Sequence, residues 1–166
     1  MKLGWIGTGV MGASMAGHLQ QGGHELWVYN RTKQKAGTLL DHGATWCDTP
    51  AAVAENAHIV FTIVGHPQDV EAVYLGENGI LSARAQVDTV VDMTTSQPTL
   101  AKTIAEAAQS LAINSLDAPV SGGDVGAREA TLAIMVGGKR EIFDQILPLF
   151  QLMGTTISHM GGPGTG

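Results

Sequence analysis

Cysteine occurs only once, at Cys47, so an intrachain disulfide and a cysteine zinc cluster are both excluded. A lone thiol reads as a small apolar filler, and so sparing a use of cysteine is the pattern expected of a cytoplasmic protein. Charge is also scarce: 14% of residues are charged, the net charge is -6, and no Lys/Arg block occurs. Neither a nucleic-acid footprint nor a basic membrane patch is therefore expected. No apolar run approaches the roughly 18–20 residues that span a bilayer. A strand-like run, Leu3 to Ile6, begins too early to leave room for a signal peptide. The six histidines form no pair at ligand spacing within one element, and H-E-x-x-H is missing, so no metal site is expected.

What is present is apolar and glycine-punctuated. Apolar residues make up 44% of 166 residues, enough for one domain with its own core. The 22 glycines fall in clusters rather than in a repeat, which excludes collagen-like and low-complexity readings. Met11, Met15, Met93, Met135, Met153 and Met160 read as core fill, and Trp5, Trp27 and Trp46 as packing residues in or beside strands.

Strand and helix signals alternate along the chain. Strands are expected at Lys2 to Gly7, Glu25 to Tyr29, Ala44 to Cys47, His58 to Val64, Val87 to Met93, Leu116 to Val120, Leu132 to Val136 and Thr155 to Ser158. Helices are expected at Val10 to Gln21, from a Thr32 cap to about Asp41, after Thr49-Pro50, and at Pro67 to Leu75, Pro98 to Leu111 and Lys139 to Met153. Pro148 is expected to bend or end the last of these. The pattern predicts an α/β fold: a doubly wound, mainly parallel sheet with helices on both faces, its ligands held at the carboxyl ends of the strands. The domain is expected to span residues 1–160, with the glycine-rich 161–166 as a hinge.

The motifs all follow strands. Gly7-Thr8-Gly9-Val10-Met11-Gly12 is G-x-G-x-x-G between the first strand and the first helix. In that setting it is the Rossmann dinucleotide fingerprint: Gly7 for the turn, Gly9 for approach of a pyrophosphate, Gly12 for helix–strand contact. An NAD site usually carries Asp or Glu about 20 residues on, at the end of the second strand. Asn30-Arg31-Thr32 stands there instead. A carboxylate would repel a 2′-phosphate, whereas Arg31 can grip one, so NADP is favoured over NAD; otherwise Arg31 is a solvated side chain and Thr32 only a cap. Val64-Gly65-His66 precedes Pro67 in a strand-to-helix turn that lines the adenosine side of such folds. Thr94-Thr95-Ser96 either caps the Pro98 helix or offers a hydroxyl to a nicotinamide carboxamide. Ser121-Gly122-Gly123 either makes a plain turn or presents consecutive amides that hold a carboxylate.

Taken together, these residues resemble the N-terminal domain of the β-hydroxyacid dehydrogenase family, of the 3-hydroxyisobutyrate dehydrogenase and tartronate semialdehyde reductase type, with 6-phosphogluconate dehydrogenase more distant. The resemblance covers essentially the whole chain and is carried by Ile6 through Ala16, with Met11 and Met15 adding to the bare glycine pattern, and by Asp117 through Gly123 with Gly126-Ala127. Met135-Val136-Gly137-Gly138 looks more like the hydroxyisobutyrate branch, and His18 stands where the family usually has Asn. The resemblance implies NADP(H) binding by Gly7, Gly9, Val10, Met11, Gly12, Asn30, Arg31, Thr32 and Thr95, to which the turn on the adenosine side adds Val64, Gly65 and His66. It implies that Ser121, Gly122 and Gly123 hold a small carboxylate substrate, a 3-hydroxy acid or its semialdehyde.

The family's catalytic Lys would lie four residues beyond Gly166, opening an all-helical domain that also makes the homo-oligomer. No other lysine is expected to replace it, because Lys102 and Lys139 fall on helices predicted to stand away from the strand ends. The 166 residues alone are therefore expected to bind cofactor without turnover. A non-catalytic NADP-binding scaffold and the cofactor domain of an imine reductase are the alternatives, the latter disfavoured by Ser121-Gly122-Gly123.

Overall fold

The computed structural model describes residues 1–82 and 87–166. Period-2 alternation on buried strands builds it. In β1 (Lys2–Ile6), Leu3 and Trp5 face one helix layer while Ile6 faces the other. The same split recurs in β4 (Ile59–Thr62), where Ile59 and Phe61 oppose Val60, and in β5 (Thr89–Asp92), where Val91 opposes Val90. Strands buried on both faces carry apolar residues without alternation, as Ile59-Val60-Phe61 does in β4 and Val90-Val91 in β5.

The strands form one sheet in the order β3-β2-β1-β4-β5-β6-β8-β7, with β9 paired to β8. The remaining strands are β2 (Glu25–Tyr29), β3 (Thr45–Trp46), β6 (Asn114–Asp117), β7 (Val120–Ser121), β8 (Leu132–Gly137) and β9 (Gly154–Gly161). Pairing is parallel from β3 through β6 and between β8 and β9, and antiparallel where β8 meets β6 and β7. The order reverses at β1 and β4, and a crevice opens at the carboxyl ends of strands at such a reversal. Helices α1 (Val10–Gln21), α2 (Gly37–Asp41), α6 (Gly123–Glu129) and α7 (Arg140–Phe150) pack on one face. The other face carries α3 (Pro50–Asn56), α4 (Pro67–Leu75) and α5 (Pro98–Ser110). Among the described residues no helix is long and apolar enough to cross a membrane.

Several expectations need correction. Thr32 occupies the N-cap position, but its side chain makes no capping bond, and the helix opens as a 3-10 turn at Lys33–Ala36. None of the Thr94-Thr95-Ser96 hydroxyls caps α5, whose N-cap is Gln97. The helix α6 was not expected: Ser121-Gly122-Gly123 reads as a turn or an amide nest, yet Gly122 is the N-cap and Gly123 the first residue of a helix. β9 has eight residues rather than four and runs into the supposed hinge at Gly161. Pro148 does not end α7, which continues to Phe150. Met160 is 52% exposed on β9 and is not core. Cys47 is buried, and burial, with Asp48 and Glu55 adding to it, pushes its thiol up to about 11, an inert structural sulfur.

Candidate cofactor-binding site

The crevice at the sheet reversal is a cleft of roughly 840 Å³. Its wall begins with the glycine loop. Gly7 has φ +102°, and a side chain there would strike the Ile63 carbonyl at 1.9 Å. A methyl at Gly12 would lie 2.0 Å from the Gly7 carbonyl oxygen, so α1 reaches the strand only because that methyl is missing. Gly9 differs: nothing lies within 4 Å of where its Cβ would stand, and the space there is open cleft. The core holds this loop from below, because buried Trp5 donates its Nε1–H to the Gly7 carbonyl at 2.8 Å. From the side, Asn30 Oδ1 accepts the Thr8 amide at 2.9 Å while Asn30 Nδ2 donates to the Thr32 carbonyl at 2.8 Å.

The loop delivers α1 to the cleft with its first turn uncapped. The first ladder bond runs from Ala13 N–H to the Gly9 carbonyl at 3.0 Å, and no side chain caps the N-terminus. No acceptor among the described residues takes the amides of Val10, Met11 and Gly12. Three free amides at the positive end of a 12-residue helix suit an anion. The Thr8 hydroxyl, buried in the same loop, also lacks a partner. This is the arrangement a pyrophosphate would complete, and the cleft fits a dinucleotide.

Ten of the twelve residues proposed from sequence to hold the cofactor line this cleft: Gly7, Gly9, Met11, Gly12, Asn30, Arg31, Thr32, Val64, Gly65 and His66. Val10 and Thr95 do not line it; both are exposed, Val10 in the first turn of α1 and Thr95 after β5. The sequence reading overlooked Lys35, in the 3-10 turn after Thr32, and Asp69, in the first turn of α4. Arg31 Nη2 lies 2.8 Å from Asp69 Oδ1, so Arg31 is ion-paired as well as solvated. Asp69 Oδ2 accepts the His66 amide at 3.1 Å. His66-x-x-Asp69 is a capping arrangement whose first member is not a usual cap residue, which hid it.

Under the neighbouring loops lies a buried polar chain. Tyr74 O–H and Thr62 Oγ1 are 2.7 Å apart, Thr62 Oγ1 donates to Asp92 Oδ1 at 2.9 Å, and the Thr94 amide donates to the same oxygen at 3.0 Å. Because Thr62 spends its proton on Asp92, Tyr74 is the donor to Thr62. Thr94 Oγ1 then accepts the Val64 amide at 3.0 Å, tying the loop after β4 to the loop after β5. Burial pushes the Asp92 carboxyl up to about 6, against hydrogen bonds from Thr94 and Thr62 that favour its charged form. Burial likewise raises the Tyr74 phenol, with the Asp92 charge adding to it.

Ser121, Gly122 and Gly123 lie outside the cleft, exposed where β7 passes into α6, with φ +133° at Gly122 and +60° at Gly123. α6 leans on α1: His18 Nε2 lies 2.8 Å from the Ala127 carbonyl, so Nε2 carries the proton. His18 thus makes a cross-helix bond. The tail is also tied down, with Gly164 N–H and Gly166 N–H donating to the Asp117 carboxylate at 2.9 and 2.8 Å. Lys102 is not remote from the strand ends, as its side chain packs beside Gly164. Lys139 is the N-cap residue of α7 rather than a member of the helix.

The sheet order, the glycine turn and the uncapped helix end define a dinucleotide-binding domain of the Rossmann type. Residues 2–162 match the family described as the NAD binding domain of 6-phosphogluconate dehydrogenase, and the chain belongs to that family. It is 52% identical over 164 residues to an uncharacterized oxidoreductase of Bacillus subtilis, covering 99% of this chain and 57% of the relative. It is 44% identical over 166 residues to the 2-hydroxy-3-oxopropionate reductase of Escherichia coli, covering 100% of this chain and 56% of the relative. Among solved structures, the 3-hydroxyisobutyrate dehydrogenase of Mycobacterium tuberculosis with L-serine superposes with a TM-score of 0.90 at 34% identity, over 99% of this chain and 56% of that one. The chain spans about half the length of the curated relatives it matches.

Proposed function

We propose that this domain binds NADP(H) for an oxidoreductase that interconverts a small 3-hydroxy acid and its semialdehyde. The observation that carries the cofactor reading is the make-up of the cleft: three unpartnered helix amides at one part, Arg31 and Lys35 at another, and no carboxylate on the residues that end β2. The amides of Val10, Met11 and Gly12 would hold the pyrophosphate, and Arg31 with Lys35 the 2′-phosphate. Val64, Gly65 and His66 would flank the adenosine, and Thr95 would meet the nicotinamide. When bound, the nicotinamide supplies the hydride donor or acceptor.

The substrate reading rests on the Ser121 hydroxyl and the amides of Gly122 and Gly123, which would receive a carboxylate, and on the names of the relatives. Residues 161–166 would serve as the hinge to the rest of the enzyme, whose other residues complete the site and the oligomer. The deciding experiment is a paired titration of the polypeptide with NADPH and NADH, followed by tryptophan fluorescence, for the parent and Arg31→Ala. The parent should bind NADPH more tightly, and the substitution should weaken NADPH about tenfold or more, as for loss of a charge-assisted contact, while leaving NADH within about twofold. Equal loss for both cofactors would remove the NADP reading.

A further inference from the structure

The Arg31–Asp69 ion pair joins two walls of the cleft, one following β2 and the other opening α4. Its members are unequally held. Asp69 sits on the helix, its side chain 21% exposed, with its second oxygen fixed by the His66 amide at 3.1 Å. Arg31 has a side chain 82% exposed on a long flexible stem. The carboxylate is the fixed member and the guanidinium the movable one.

We propose that Asp69 is a specificity-determining residue of the cofactor site: it occupies Arg31 as an internal anion and competes with the 2′-phosphate of the cofactor. The proposal rests on the reading above that Arg31 meets that phosphate. A phosphate monoester brings up to about two negative charges. To receive it, Arg31 must leave Asp69 or share its fork between two anions that repel each other, and Asp69 cannot retreat because the His66 amide holds it. A 2′-hydroxyl brings no charge. Arg31 then stays on Asp69, and the pair is undisturbed. The pair therefore opposes NADPH and leaves NADH unaffected, which narrows the preference that Arg31 creates. Lys35 lines the same cleft and makes no ion pair with another described residue, so it is a cation that Asp69 does not hold. An exposed ion pair is weak, so the effect is a few-fold change in affinity rather than orders of magnitude.

The test is a double-mutant cycle read by binding: the parent, Asp69→Asn, Arg31→Ala and the double variant, each titrated with NADPH and NADH at one low salt concentration. Asn keeps an acceptor for the His66 amide, and Asp69→Ser, another short acceptor, is carried alongside with melting curves for every protein. Asp69→Asn and Asp69→Ser should tighten NADPH about three- to tenfold and move NADH by less than about twofold. The gain should vanish in the Arg31→Ala background. Weaker NADPH binding would mean that the carboxylate orients Arg31 for the phosphate, and would overturn the proposal. Equal tightening of both cofactors, or a gain that survives in Arg31→Ala, would overturn it too. The two readings fail separately. A parent preference unchanged by Arg31→Ala removes the phosphate reading, whereas a preference lost in Arg31→Ala but unmoved by either Asp69 variant removes only the role of Asp69.

Discussion

The Thr62 hydroxyl donates to Asp92 Oδ1 at 2.9 Å, at the carboxyl ends of two adjacent parallel strands. The bond places a buried acid beneath the loops that line the cleft and begin beside it, and it has a consequence for pH. Asp92 is raised to about 6 in the folded protein, mainly by burial, against roughly 3.9 in an unfolded chain. The folded state therefore holds this proton more tightly, and the contribution of Asp92 to stability falls as pH rises from about 4 to about 6, then levels off. The loss is on the order of 3 kcal/mol at most. Asp92→Asn stays neutral throughout and can still accept from Thr62 and Thr94. Thermal midpoints of the two proteins at pH 4, 5, 6 and 7 should diverge in favour of Asn up to about pH 6 and run parallel above it. A constant gap would mean that the Asp92 carboxyl titrates in the fold as it does in the unfolded chain, and one of opposite sign that its hydrogen bonds outweigh burial and hold it ionised.

Gly9 and Gly12 should separate binding from stability. A methyl on Gly12 would lie 2.0 Å from the Gly7 carbonyl, a backbone atom pinned by Trp5, so relief requires moving α1 away from the sheet. Gly12→Ala is expected to lower stability by about 1–3 kcal/mol, the usual cost of overpacking, and to weaken binding as well. A methyl on Gly9 meets nothing, and its φ of −67° is ordinary for any residue. Gly9→Ala should therefore melt with the parent while losing NADPH affinity about tenfold or more, because the methyl stands where a pyrophosphate approaches. Melting curves and titrations of both variants check this. A Gly9→Ala protein that binds NADPH normally would place the pyrophosphate elsewhere.

What could be read from sequence was what local chemistry decides. The β-branched run expected at His58 to Val64 holds the shorter strand Ile59–Thr62, and the glycine turn and the Pro67 helix start, which carry their signals within a few residues, stand where they were expected. What escaped depends on partners far along the chain. Helix α6 spans Gly-Asp-Val-Gly-Ala-Arg-Glu, a poor helix by composition, and it persists on buried Ala127 and the bond from His18. β9 alternates weakly and includes two glycines, and its length comes from pairing with β8. Arg31 announced its charge but not its partner, because Asp69 lies 38 residues away and is aimed by a helix cap. Local signals thus located the cleft, while the charge balance inside it came from the topology.

Asp117 should govern the order of the glycine-rich tail. Its two oxygens receive separate amides, Gly164 at 2.9 Å and Gly166 at 2.8 Å, so three residues of loose composition are fixed to the end of β6. Hydrogen bonds to a charged acceptor contribute about 1.5–3 kcal/mol each when desolvated, and less where the groups are half-buried as here. Asp117→Ala should therefore remove the protection of both amides against hydrogen exchange. Asp117→Asn, with one acceptor oxygen left, should keep one of them partly protected. NADPH affinity should stay within about twofold in both variants, because neither Asp117 nor the tail lines the cleft. Amide exchange by NMR resolves Gly164 from Gly166 directly. Unchanged protection in Asp117→Ala would show that β9 alone orders the tail, and a large loss of NADPH affinity would show that the tail reaches the cofactor.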